Sequence, residues 1–304
     1  MIKGKKIWLN GKLADWDDVT VHITGQTFSY GIGVFEGIRC YATGRGQAIF
    51  RLRDHVERLL NSAKVLFLRV PYSADELMAA IKETVSENHF EACYIRPMIY
   101  VSRMEVPGWD FTNVPADVAV AVWDWGDYIH EKALTEGIRV KTASYTRHHP
   151  NALMTKSKAN ANYLNFILAR GEAQRQGYDE ALILDVNGFV AEGPVENVFM
   201  VKRGTLFTPP TTYILEGITR DTVLTLAGEA GMTCREEFFT RDFLYTADEV
   251  FFCGTAAEVT PVCELDGVKI GAGKPGPVTG RISEAFFNVV RGKADGHEEW
   301  LSFL

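Results

Sequence analysis

The chain has 304 residues, 46% of them hydrophobic and 23% charged, proportions that exclude intrinsic disorder and collagen-like structure. A chain this long suits two domains of ordinary size and buries roughly three quarters of its unfolded surface. With 39 acidic against 32 basic side chains the net charge is −7, so no chain-wide positive field exists to hold nucleic acid or an anionic membrane, and the expected partner is a small molecule or another subunit.

In chain order, Ile7-Trp8-Leu9 is too short an apolar run for a secretory signal and reads as a strand entering an Asn10-Gly11 hairpin turn. Ala48 to Leu52 reads as a strand. Asp54 caps a helix with the stripe Val56, Leu59, Leu60 and Ala63, and Ser73-x-x-Glu76 is a capping box ahead of Leu77, Ala80, Ile81 and Val85. Strand-like runs follow at Tyr94 to Val101 and Val118 to Trp123, which predicts an N-terminal α+β domain over residues 1–122. The aromatic stretch from Trp123 breaks both periods and places a linker at 123–134, leaving 135–304 as the larger C-terminal domain. There, Ile183 to Glu192 forms a hairpin around Asn187-Gly188, and Val198 to Thr208 forms another around Lys202-Arg203-Gly204. Helices are predicted from Ala159 to about Gln176 and from Thr219 to about Ala230, the latter ended by Gly231. No run of about 18 apolar residues is present to cross a bilayer. Five widely spaced cysteines without Cys-x-x-Cys predict reduced thiols and a cytoplasmic location.

Several places carry chemistry. Lys156 and Lys158 precede a helix two residues apart, so in an extended segment they point the same way. One of them, if buried, is a neutral amine able to form a Schiff base. Glu192 ends a hairpin strand beside a Gly-Pro corner, where a carboxylate can hold a heterocycle's ring nitrogen protonated, and Glu196 competes for that role. Glu216-Gly217-Ile218-Thr219 opens a helix with backbone amides suited to a phosphate, and Thr255-Ala256 follows an apolar strand with a similar offer. Arg58 lies off its helix's apolar stripe and either faces solvent or reaches an anion. Strand alternation puts Tyr94 and Arg96 on one face, a phenol and a guanidinium suited to a carboxylate, and Tyr30 to Arg39 reads as an aromatic, glycine-rich strand. Gly271 to Gly276 matches a dinucleotide pattern, but Pro275 and Pro277 oppose a helix opening there. His148-His149 has no third ligand at metal spacing.

Taken in order, Tyr30 to Arg39, Tyr94-Ile-Arg-Pro97, Lys158 with Tyr163, Glu192 to Asn197, Gly217 to Arg220 and Gly254 to Thr260 resemble the branched-chain amino acid aminotransferases. The resemblance runs from Ile7 to about Phe287. It implies an α/β (α+β) fold of the fold type IV class, two α/β domains with the active site at their interface, and at least a homodimer. It also implies pyridoxal 5′-phosphate as cofactor, with Lys158, five residues before Tyr163, as the Schiff-base lysine, and Glu192 on the ring nitrogen.

Cofactor contacts are implied at Arg58, Tyr163, Leu215, Gly217, Ile218, Thr219 and Thr255. Substrate contacts are implied at Tyr30, Phe35, Gly37, Arg39, Tyr94, Arg96, Trp125, Tyr128, Thr255 and Ala256, with Tyr30 and the loop after Tyr100 supplied by the neighbouring subunit. The implied reaction is a ping-pong exchange of amino groups between branched-chain L-amino acids and 2-oxoglutarate. Two features depart from the family: the loop after Tyr100 lacks its usual glycines, and Arg103 with Trp109 bears on what the pocket admits. D-amino acid transaminase, (R)-amine transaminase and aminodeoxychorismate lyase share the fold, but Phe35-Glu-Gly37 with Tyr94-Ile-Arg96 favours branched-chain substrates.

Overall fold

In the computed structural model of the chain, which describes residues 1–104, 109–126 and 131–304 with the side chains of 131 and 132 excepted, Asn10 and Gly11 have φ of 47° and 93°. That pair of left-handed residues is what a type I′ hairpin turn requires. It joins β2 (Lys6–Leu9) to β3 (Lys12–Asp15), after β1 (Ile2–Lys3). Then come α1 (Gln26–Tyr30), β4 (Gly33–Phe35), β5 (Ile38–Thr43), β6 (Gly46–Phe50), α2 (Leu52–Val65), α3 (Ala74–Asn88), β7 (Cys93–Tyr100) and β8 (Asp117–Asp124). The chain continues through α4 (Glu131–Glu136), β9 (Ile138–Thr146), α5 (Tyr163–Arg175), β10 (Glu180–Leu184), β11 (Val190–Glu192), β12 (Asn197–Lys202) and β13 (Thr205–Thr208). It ends with α6 (Ile218–Glu229), β14 (Thr233–Glu236), α7 (Arg241–Tyr245), β15 (Glu249–Gly254), β16 (Glu258–Leu265), β17 (Val268–Lys269), α8 (Pro277–Val290) and β18 (Leu301–Phe303).

Two units emerge. The first comprises residues 1–126, 156–161 and 289–304. Its antiparallel sheet runs β18-β6-β5-β7-β8-β2-β3, with β4 on β7 and β1 on β8. The buried stripes of α2 (Leu52, Val56, Leu59) and α3 (Leu77, Ile81, Val85) share one core with Ile38, Ile95, Ile99, Val118 and Val120 of the sheet. The predicted capping box is present: the Ser73 hydroxyl accepts from the Glu76 N–H at 3.3 Å, and the Glu76 carboxylate accepts from the Ser73 N–H at 2.7 Å.

This unit is discontinuous, where a single cut near residue 122 was expected. Residues 156–161, including Lys158, group with it because Phe35 N–H donates to the Lys158 carbonyl at 3.2 Å and Lys158 N–H donates to the Ser62 hydroxyl at 3.0 Å. The C-terminus returns to it as β18, pairing Ser302 with Ile49. Trp123 and Asp124, placed in the linker by sequence, still belong to β8, and residues 127–130 lie outside the described residues.

The second unit, residues 127–155 and 162–288, holds a mixed sheet. Six strands close on themselves in the order β11-β10-β9-β16-β15-β12, because β11 also pairs with β12, through Glu192 and Asn197. Strands β13 and β14 extend it beyond β12. Helix α5 starts at Tyr163 after a 3-10 turn at Asn160–Asn162, later than the predicted Ala159. Helix α8 starts at Pro277, contrary to expectation. Proline suits a first helical position, where its missing N–H costs nothing, and the Glu249 carboxylate accepts from the Val278 and Thr279 N–H groups at 2.9 and 2.7 Å. Those amides, the ones the dinucleotide pattern would have offered to a phosphate, are therefore already taken. Among the described residues no helix is long and apolar enough to cross a membrane.

Removing the hydroxyl that caps α3 isolates one local contribution. Ser73→Ala should cost about 1 kcal/mol of stability, read as a lower urea midpoint with unchanged slope.

Candidate active site

Burial distinguishes the two lysines. Lys156 is exposed, whereas Lys158 is partly buried in the first unit. Burial lowers the Lys158 pKa, Arg58 and Arg96 lower it further, and Glu36 and Tyr94 act the other way without restoring it. The amine is 5.4 Å from the centre of the Phe35 ring, and the Arg96 guanidinium is 4.5 Å from the same centre. The lysine amine and the guanidinium thus share one aromatic surface.

Around that surface the strand alternation works as predicted. Arg96 donates to the Tyr94 hydroxyl at 3.1 Å, and its charge also lies 5.4 Å from the Trp123 ring. Trp125 stacks edge-on against Tyr94 at 4.3 Å, and Arg39 lies directly opposite Tyr94 across β5 and β7. Gly37 is required for this packing, since a Cβ there would come within 2.1 Å of the Tyr94 hydroxyl. The Arg96 Nε is buried and has no hydrogen-bond partner among the described residues. A buried guanidinium N–H without an acceptor is costly to leave unpaired, and an anion is the kind of group that would accept it.

Tyr30 is not part of this cluster. It ends α1 rather than lying on a strand, because Gly31 takes φ of 73° and breaks the chain direction; it is 58% exposed and rests on Trp109 at 4.8 Å. Tyr128 lies outside the described residues.

In the second unit Glu192 is buried and paired with Arg147, Oε1 to Nε at 2.7 Å. Its other oxygen accepts from the Asn197 amide at 3.3 Å and the Leu215 N–H at 3.2 Å. The pKa of Glu196, the competing carboxylate, is raised well above the ordinary range by burial and then by neighbouring Glu180, whereas Glu192 has a guanidinium as its partner. Arg147 also lies 4.8 Å from the Phe166 ring, against which Tyr163 packs at 5.3 Å. Gly217 caps α6 with no side-chain bond, and a Cβ there would meet the Asn197 amide oxygen at 1.9 Å. Only glycine fits against that amide, and it opens α6 ahead of buried Ile218 and Thr219. Thr255 and Ala256 lie half-buried in the turn between β15 and β16.

The class IV aminotransferase family model matches residues 33–265, which span both halves of this constellation. The chain belongs to the class IV aminotransferases. It is 49% identical over 298 residues to the branched-chain-amino-acid aminotransferase of Pseudomonas aeruginosa, with 98% of this chain and 97% of that one covered. It superposes on the crystal structure of the Escherichia coli branched-chain amino acid aminotransferase with a TM-score of 0.95 at 44% identity, covering 99% of each chain. The branched-chain amino acid aminotransferase of Thermobaculum terrenum, solved as the holo-form with pyridoxal 5′-phosphate, matches with a TM-score of 0.91 at 34% identity, covering 99% of each chain.

Class IV aminotransferases work with pyridoxal 5′-phosphate. Each unit by itself holds side chains that fit such a group: in the first, a lysine amine whose pKa burial lowers, and in the second, a buried carboxylate paired with an arginine. Three residues of the constellation escaped the sequence reading. Arg147 carried no motif of its own, and its neighbour His148, read as exposed loop, is half-buried against it, its pKa lowered to about 4 by burial and by that guanidinium. Glu36 and His55 were hidden inside an apolar strand and an apolar helix face. The spacing of His55 and Arg58, three apart on one helix, was the available signal.

Lys158 makes the stability of the cofactor-free protein depend on pH. Its pKa falls below the ordinary 10.5 on folding, so near pH 7 the unfolded chain binds more protons, a cost that disappears as pH rises toward that value. Lys158→Met should raise the apoprotein Tm near pH 7, with the gain shrinking toward about pH 10. An equal gain at both would show the amine to be charged in the folded state.

Proposed function

We propose that this chain is a pyridoxal 5′-phosphate-dependent transaminase of branched-chain L-amino acids with 2-oxoglutarate. The observation that carries the reading is the Phe35 ring, which bears side by side a lysine amine whose pKa burial lowers and an arginine with an unsatisfied N–H. One end of an amino acid needs a base and the other a cation, and apolar rings around both suit an alkyl side chain.

Bound pyridoxal 5′-phosphate supplies an aldehyde that joins the substrate amine and a ring that draws electrons from the bond being broken. Lys158 Nζ, its pKa lowered by burial, would take the proton from the substrate Cα and hold it for return. Glu192, with Arg147 holding it as an ion, would accept from the protonated ring nitrogen, and Tyr163 would lie at the phenolic edge. The α6 amides at Ile218 and Thr219, with Arg58 and Thr255, would hold the phosphate, while Leu215 and Gly217 shape the space. Tyr94, Arg96 and the Thr255-Ala256 turn would take substrate carboxylates, and Phe35, Gly37, Arg39, Trp125 and Tyr128 would surround the side chain. Because the same wall must admit an alkyl chain and the second carboxylate of 2-oxoglutarate, its mixture of aromatic faces and one guanidinium suits both partners in turn.

A homodimer supports this reading better than a monomer does. Leu164, Ile167 and Leu168 form an exposed apolar stripe on α5, and exposed Tyr30 with Trp109 offers an aromatic pair to a neighbouring copy. The five unbridged cysteines agree with a cytoplasmic setting.

An amino-donor panel with 2-oxoglutarate, including both enantiomers of leucine and of 1-phenylethylamine, tests the substrate class. L-Leucine, L-isoleucine and L-valine should be the best donors, and preference for a D-amino acid or an (R)-amine would move the chain to another branch of the family. Among variants, Lys158→Ala should abolish turnover and Lys156→Ala should retain it. Glu192→Gln should bind cofactor yet slow proton abstraction by about 100-fold or more, and near-normal turnover there would reject the assigned ring partner.

A further inference from the structure

Glu36 is wholly buried, yet it is a carboxylate in the middle of an apolar unit. It directly follows β4, where its backbone N–H donates to the Pro97 carbonyl at 2.9 Å. Alternation sends its side chain to the face opposite Phe35. On that face α2 presents His55 and Arg58, three residues apart on one helix side. His55 Nδ1 lies 2.7 Å from Glu36 Oε2. Arg58 meets the carboxylate edge-on, Nε to Oε1 at 2.6 Å and Nη2 to Oε2 at 2.9 Å. The three side chains are 0%, 2% and 13% exposed. The Gly37 N–H adds a fourth donor at 3.3 Å.

We propose that Glu36 and His55 are positioning residues that clamp the Arg58 guanidinium in the one orientation from which it reaches the cofactor phosphate. The proposal rests on the reading of Arg58 as a phosphate contact. A two-point bond through Nε and Nη2 stops rotation about the last side-chain bond, so the opposite edge of the guanidinium is fixed in direction. His55 fixes the carboxylate in turn. Burial keeps the His55 ring neutral although Glu36 pulls the other way, so its one N–H must sit on Nδ1 to bond an ion. Burial alone would raise the Glu36 pKa, but Arg58 and His55 outweigh it and hold the group far below the usual carboxylate range. Well-packed apolar residues would fill this space at lower desolvation cost, so the retained ionic network is better explained by aiming Arg58 than by stability.

The test compares pyridoxal 5′-phosphate with pyridoxal, which lacks only the phosphate. Holoenzyme of wild type, Glu36→Gln, His55→Asn, His55→Phe and Arg58→Met is equilibrated with falling concentrations of each, and bound cofactor is read from its absorbance. Glu36→Gln should weaken the phosphorylated form by about tenfold or more and leave pyridoxal nearly unchanged. His55→Phe should shift the ratio in the same direction. His55→Asn, whose amide can replace the Nδ1 proton, should restore it. If both forms weaken equally in Glu36→Gln and in His55→Phe, the two residues are merely structural and the proposal fails, even with Arg58→Met losing its phosphate preference as expected. If Arg58→Met keeps that preference, the reading of Arg58 itself falls and the proposal with it. Should Glu36→Gln fail to fold, the His55→Phe and His55→Asn pair decides alone.

Discussion

A lysine stays neutral only where water is kept away and no nearby anion is able to restore its proton. In the first unit Lys158 is lifted out of solvent by its own backbone, since the segment 156–161 is stitched to β4 and to Ser62 rather than left in a loop. The carboxylate that acts on it most strongly among the described residues, Glu36, has both oxygens already bonded to Arg58 and His55. Arg58 and Arg96 then push the amine toward its uncharged form together with burial. The lysine amine and the two cations are thus one electrostatic unit, and the placement of the short segment holding Lys158 governs all of it.

The second unit solves the opposite problem, keeping an anion charged where water is scarce. Two buried carboxylates lie four residues apart, and their surroundings drive them to different states. Glu192 has an arginine within 2.7 Å; Glu196 has another carboxylate, Glu180, for company. The loop from Gly193 to Glu196 joins the two residues, with the Gly193 N–H donating to the Glu196 carbonyl at 2.7 Å. One short turn therefore carries a carboxylate paired with an arginine at its start and a carboxyl with a raised pKa at its end.

Much of this was legible in the sequence where local chemistry decides local structure. The Asn10-Gly11 turn, the Ser73 capping box, the hairpin at Asn187-Gly188 and the shared face of Tyr94 and Arg96 all follow from dihedral preference, capping or strand period, and all are present. The choice between Lys156 and Lys158 did not follow, because it depends on which lysine is covered by β4, more than a hundred residues earlier in the chain. Glu36, His55 and Arg147 were missed for the same reason: each looks like an isolated polar residue until a partner distant in sequence is brought to it. The proline at 277 was misread because a residue that stops a helix from within also starts one well, and only the Glu249 carboxylate waiting at 2.7 Å from Thr279 shows which applies.

The closing of the six-stranded ring rests on a single residue couple, Glu192 opposite Asn197. The same two side chains hold each other and reach the Leu215 backbone. The seam of the barrel and the seat of the buried Glu192–Arg147 pair are consequently one object. Fraying at that joint would not merely loosen a strand end; it would also pull the Glu192 carboxylate away from the Asn197 amide and the Leu215 N–H that hold it, so in this architecture mechanical closure and the seating of a buried carboxylate are won or lost together.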